Sequence, residues 1–445
     1  MKYLIIICLL SATLPGAAQH DQIIFDDHVY NDNIRTVKLH VINLLTSIPV
    51  IRLRSDSALV LSFDDLDDTP KFYRYQVIHC DHNWKPSDLD VTEFVDGYND
   101  EPIDAFEYSI NTFTNYAHYS LSFPNEDLRI TKSGNYLLLV YLDDGDRTPV
   151  ITRRFMVVDP SVSINARIVR PAEVRKLNTH HEIDFEIGTR DVRIINPKDE
   201  ISVTVLQNGR WDNAITGLRS RFERGDKLIF DYQDKIVFAA GKDFRNMDIR
   251  STQYRSEDVF EILRYDDHYE VVAELDVPRT YANYIRDVDI NGQFVILDRD
   301  DTRFRPIFEG NDNRVGRAAR NAFEDITEHD LKADYLDVYF TLDVDAPYDA
   351  PVYIFGALSD WKLQERFRME YDRARSAYTT MVQLKQGFYD YIYVLGNSDG
   401  TPDETTIEGH WFEATNSYTI LVYYRPFGGR YDQLIGGLTI ESAEY

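Results

Sequence analysis

Short, largely apolar runs separated by polar turn residues recur along nearly the whole chain. Before Asp159-Pro160 they are Ile34 to Leu44, Leu59 to Phe63, Tyr73 to Cys80, His118 to Phe123, Tyr136 to Leu142 and Arg154 to Val158. They are rich in Val, Ile, Tyr, Phe and Thr, and Gly, Pro, Asn and Asp separate them, the pattern of half-buried strands joined by turns. Their number and spacing predict one Ig-like sandwich. The proline after Asp159 marks its end, because a residue before proline is pushed out of helical conformations.

A second set follows at Glu182 to Ile187, Leu228 to Tyr232, Ile236 to Ala239 and Tyr269 to Leu275. Asn208-Gly209 and Asn291-Gly292 each stand between extended runs, which predicts two hairpins closed by type I′ turns. A third set comprises Tyr335 to Leu342, Val352 to Phe355, Ala377 to Leu384, Phe388 to Leu395 and Tyr418 to Tyr424. The reading is all-β, with tandem Ig-like/early-set β-sandwich domains. The expected boundaries are 20–159 for the first sandwich, 160–301 for the second and 334–445 for the third. An Arg- and Asn-rich connection at 302–333 carries a short helix over Ala318 to Leu331. No fixed period repeats, which argues against solenoids and propellers.

Residues 1–19 read as a cleaved signal segment: Lys2, an apolar run from Leu4 to Leu10, then small residues around Pro15-Gly16-Ala17-Ala18. That run is far shorter than the roughly 20 apolar residues needed to span a bilayer. The formal net charge is −27, and losing Lys2 makes it one unit more acidic. Such a surface disfavours nucleic acid and anionic lipid as partners and favours a cationic protein face. After cleavage Cys80 stands alone, so it is expected as a small buried hydrophobe with no disulfide.

Candidate chemistry is sparse. Gly396-Asn-Ser398-Asp-Gly400 has nucleophile-elbow spacing, but Thr401-Pro402 follows where that motif needs a helix, so it reads as a hairpin loop. His79-Cys80-Asp81-His82 holds four ligand types in a row, yet a strand points alternate residues to opposite faces and cannot give all four to one metal. The acidic clusters Asp64-Asp65-Leu66-Asp67-Asp68, Asp143-Asp144-Gly145-Asp146 and Asp298-Arg299-Asp300-Asp301, and the loop Asn311 to Gly316, read as solvated turns. None completes a calcium-binding EF-hand loop. Trp361, in Tyr353-Ile-Phe355-Gly356-Ala-Leu-Ser-Asp-Trp361, is similar to the tryptophan of early-set sandwiches that bind glycogen or starch. It is the contact for an alternative reading as a carbohydrate-binding cell-envelope module, set against a role in packing the sandwich.

A denser constellation lies in the first block: Leu61-Ser-Phe63-Asp64-Asp65-Leu66, His79-Cys80-Asp81 with Trp84, Pro86-Ser87-Asp88-Leu89, Asp96-Gly97-Tyr98, Asn111-Thr112, His118-Tyr119, Phe123-Pro124-Asn125 and Ser133-Gly134-Asn135-Tyr136. Asp334-Tyr335 and Val338 to Leu342 extend it toward the C-terminus. Together these resemble the plug protein family of the Type IX secretion system. The resemblance implies a periplasmic protein that seals the giant outer-membrane β-barrel translocon when no cargo passes. It implies steric occlusion, with no catalysis, cofactor, metal, small-molecule substrate or direct lipid insertion. For the barrel contact, the loops rich in aromatic and polar residues are the candidates: Asp81, Trp84, Pro86, Asp88, Tyr98, Asn111, Tyr116 and His118. Their aromatic rings serve equally well as internal braces for long loops.

Overall fold

The computed structural model describes residues 23–67, 69–300 and 329–442. The expected signal segment, the Asn311 to Gly316 loop, Asp68, Asp301 and the 302–333 connection up to residue 328 lie outside the described residues, and of the expected helix only its end, residues 329–331, is described and is helical.

Alternation along each strand selects one face for burial. In Tyr73–Cys80 the residues Tyr73, Tyr75 and Val77 are buried while Arg74, Gln76 and Ile78 are not. This strand lies beside Gly134–Leu142 and Pro149–Val158 in one sheet, joined at its margins by His28–Val29, Val50–Arg52 and Glu101–Pro102. Ile34–Val41, Leu59–Asp65, Ala117–Phe123 and Phe106–Tyr108 form the facing sheet. Between the two sheets Phe63, Tyr119, Tyr136 and Phe155 fill a common core.

The second sandwich draws on distant parts of the chain. One of its sheets runs Ser163–Val169, His180–Gly188, Lys227–Phe230, Phe222–Arg224, with Val237–Ala239 also on His180–Gly188. The other sheet is Ile215–Leu218, Ile201–Gln207, Ser417–Tyr424 and Gln433–Glu441. Tyr418, Ile420 and Val422 thus pack with Ile183, Phe185 and Val203. The strand over 418–424 was expected in the third sandwich, but it pairs along its whole length with Ile201–Gln207.

The third sandwich has ten strands, eight on a path from Arg245–Asp248 to Val259–Arg264 and two, Phe294–Ile296 and Pro402–Asp403, off it on Gly387–Gly396, and it is centred on Gly387–Gly396, Ala377–Lys385 and Tyr335–Asp343. Its faces close over Val271, Phe340, Ile354 and Tyr391. The Tyr269–Ala273 strand, expected in the second sandwich, pairs here in parallel with Tyr335–Asp343. At Asn208-Gly209 both residues have positive φ, as a type I′ turn requires, and the flanking strands pair. Asn291-Gly292 also turns with positive φ, but the expected hairpin does not form. Its outgoing strand Phe294–Ile296 pairs with Gly387–Tyr389, while Ile290 and Gly292 donate their N–H groups to Asp390.

Continuous apolar runs mark strands covered on both faces. In Gly134–Leu142 the side chains of Tyr136, Leu138 and Val140 enter the first core. Leu137, from the opposite face, packs with Leu206, Leu421, Tyr423 and Leu434 of the second sandwich. The three sandwiches therefore share seams.

Candidate interaction surface

The loop that follows Tyr73–Cys80 is built by its own polar residues. The Asp81 carboxylate accepts the N–H groups of Asn83 and Lys85, and Trp84 adopts positive φ within that turn. A helical turn at Val91–Phe94 follows, its capping box made by Asp90 and Glu93, and it drives Phe94 into the core. The chain then pairs Val95–Gly97 with Leu128–Ile130. Gly97 is required there: its φ is +112°, and a Cβ would lie 2.0 Å from the Asp127 carbonyl oxygen.

The eight candidate contact residues separate into two groups. Trp84 is only 8% exposed and meets the edge of Trp211 at 4.8 Å, with the Arg154 guanidinium over both rings. It is a joint between the first and second sandwiches. Tyr116 is buried, and its hydroxyl lies 2.6 and 2.7 Å from the carbonyl oxygens of Asp330 and Ala333, which share its proton. His118 is buried with Nδ1 2.6 Å from Asp64 Oδ1. The other oxygen of Asp64 lies 2.6 Å from Lys385 Nζ and accepts the Tyr335 hydroxyl at 2.7 Å. Those three residues are therefore internal to this chain. Pro86, Asp88, Tyr98 and Asn111 are exposed and Asp81 is half-buried, so these five keep access to a partner.

The seam between the first and third sandwiches is thus a buried charge network. Burial alone raises the Asp64 carboxyl, but Lys385 and His118 outweigh it and hold that carboxyl below the usual range. Asp64 and Asp65 were expected in a solvated turn. Both are buried instead, Asp65 accepting the Tyr73 hydroxyl at 2.7 Å, because the strand Leu59–Asp65 extends through them to the seam. At the seam between first and second sandwiches, Asp432 accepts the His82 backbone N–H at 2.9 Å and sits 2.7 Å from its Nδ1. Burial opposes ionisation of Asp432, yet the His82 hydrogen bonds and Arg425 bring its carboxyl down to about 2.

His79 and Cys80 are buried, and His79 Nδ1 pairs with the Ser87 hydroxyl, so the four-residue ligand run is divided between core and seam. Burial takes the His79 imidazole down to about 4 and the Cys80 thiol up to about 12. Ser398 stands on an exposed loop between Gly387–Gly396 and the short strand Pro402–Asp403. Trp361 has Arg210 over its ring at 4.3 Å and Phe244 and Phe355 at its edges, so packing takes up much of the ring. It lines a cavity of about 560 Å³ together with residues of all three sandwiches, including Arg154, Trp211 and Tyr353.

Residues 34–159 match the family described as Type 9 secretion system plug protein 1st domain. Residues 34–159 are thus a first domain of the Type 9 secretion system plug family. A crystal structure of a hypothetical protein from Parabacteroides merdae ATCC 43184 superposes with a TM-score of 0.84 at 32% identity, covering 95% of this chain and 100% of that one. The collagen adhesin of S. aureus aligns at 8% identity with a TM-score of 0.11, too low to relate the folds. No curated protein matches the chain. A plug-family domain points to a role connected with Type IX secretion in the cell envelope, and with the all-β fold it points to a non-catalytic component. No helix among the described residues is long and apolar enough to cross a membrane.

The chain also carries a surface that strand periodicity does not reveal. Between Tyr269–Ala273 and Phe294–Ile296 a long strap crosses the third sandwich with several of its polar side chains turned inward. Arg279 donates to Glu408, Thr280 to the Thr406 carbonyl, and Tyr284 to Asp243. Leu275, Val277, Tyr281, Ile285 and Val288 are left exposed, Tyr281 at 98%. A clue exists in the sequence: apolar residues recur through Leu275 to Val288 with no alternation that would bury them as a strand.

Proposed function

We propose that this protein is a periplasmic plug that binds the periplasmic opening of the giant outer-membrane β-barrel translocon of the Type IX system. It closes that opening sterically while no cargo is in transit. The observation that carries this reading is the match of residues 34–159 to the plug family. Three sandwiches joined across buried seams support it, since a stopper works by shape and must be displaced without unfolding. The acidic chain, at −27 overall, suits a rim of basic residues and long-range attraction to it.

The barrel contact falls on accessible residues: Tyr98, Pro86, Asp88 and Asn111 of the first sandwich, and the exposed apolar side chains of the strap. Apolar groups gathered on one surface segment are the usual mark of a docking site. The test is affinity purification of the tagged chain, at native level, from gently solubilised membranes. A giant outer-membrane barrel in near-equal amount is the expected result. Ile285→Asp with Val288→Asp should lower that recovery while leaving the melting temperature unchanged. Absence of the barrel, under conditions that preserve a known translocon complex, would refute the plug.

A further inference from the structure

We propose that the outer face of the second sandwich holds a divalent cation of calcium's size between Glu182, Asp184 and Asp231. Glu182 and Asp184 alternate with Ile183 and Phe185 on His180–Gly188, so while the apolar pair enters the core the carboxylates point to the other face. Phe230 pairs with Phe185, and the next residue, Asp231, comes opposite Asp184. One carboxylate oxygen from each of the three lies within 4.8 Å of the other two. Calcium–oxygen bonds are about 2.3–2.6 Å, so ligands on opposite sides of one ion stand roughly 4.6–5.2 Å apart. The three groups therefore reach a common ion without backbone movement.

A second observation separates this cluster from ordinary surface acids. Asp184 is 8% exposed, and its Oδ1 is buried without a hydrogen-bond partner. Its other oxygen accepts from Arg167, whose own side chain is largely exposed. A buried carboxylate oxygen without a partner is costly, and a metal ion satisfies it. Glu182, also buried, gives one oxygen to the Ala172 N–H, which fixes its carboxylate beside Asp184. Two positive charges would relieve the repulsion among the three carboxylates. Water fills the remaining coordination positions, as is common for this ion.

Terbium(III) serves as the probe on the full chain, since Tyr232 adjoins Asp231 and can sensitise its emission. The expected result is saturable luminescence at one ion per chain, displaced by calcium more readily than by magnesium. Asp231→Asn should weaken terbium and calcium binding at least tenfold, and calcium should raise the melting temperature of the wild type but not of this variant. Glu182→Gln provides a second, independent loss. Binding that is unsaturable, or that both variants retain at wild-type strength, would overturn the proposal and leave only diffuse attraction to an acidic surface.

Discussion

At the scale of single residues, a desolvated aromatic ring is the same object whether its cover is another chain or another part of its own. Trp84 shows why the two could not be told apart in the sequence: a Trp in a polar loop satisfies both. Here the cover is Trp211, more than a hundred positions away, and no local pattern announces it. Trp84→Ala is expected to cost about 3 kcal/mol or more, the range for removing a buried large aromatic. Tyr98→Ala, at a side chain 72% exposed, should stay within about 0.5 kcal/mol. Urea unfolding of the two variants checks the contrast. Lys385→Met should cost about 3–5 kcal/mol, because it strands the buried Asp64 charge with only His118 and Tyr335. A loss near zero would show that Asp64 is reached by water.

At the scale of elements, the strands were largely legible, since alternation fixes which side chains turn inward. Tyr73–Cys80 and Val352–Phe355 coincide with their expected spans. Partners were less legible, because Tyr418, Ile420 and Val422 present the same apolar face to any sheet. The Asn291-Gly292 turn teaches the same lesson: its dipeptide dictates the bend, while Asp390 decides what the bend is attached to. Burial, together with Asp289, pushes the Asp390 carboxyl up to about 8. A raised carboxyl favours the folded state most below its ordinary value near 4, and that contribution is lost as the pH rises through about 8. Asp390→Asn keeps an oxygen for the Ile290 and Gly292 N–H groups and removes the ionisation. Its stability should therefore lack the decline that the wild type shows between about pH 4 and 8, a slope of at most about 1.4 kcal/mol per pH unit. Denaturant titrations across that interval measure it, and parallel curves would sink the assignment.

At the scale of the whole molecule, the seams set the acid limit. Asp432, with its carboxyl at about 2, contributes stability above the ordinary value near 4 and loses it as the pH falls toward about 2. Asp432→Asn should be less stable than the wild type at neutral pH and converge on it in acid, followed by tryptophan fluorescence of the Trp84–Trp211 joint. The continuous apolar runs of Gly134–Leu142 and Ser417–Tyr424 were the readable sign that sandwiches would press together, since solvent on one face would have imposed alternation. The chain's return at Ser417–Tyr424 also governs the order in which the protein can mature. A chain emerging from its N-terminus can complete the first sandwich early, but Ile201–Gln207 must wait with one edge unpaired until more than two hundred further residues have been made. During that interval the strand is a template for any other extended segment. Nascent or C-terminally clipped copies are therefore the natural clients of a chaperone that shields open sheet edges.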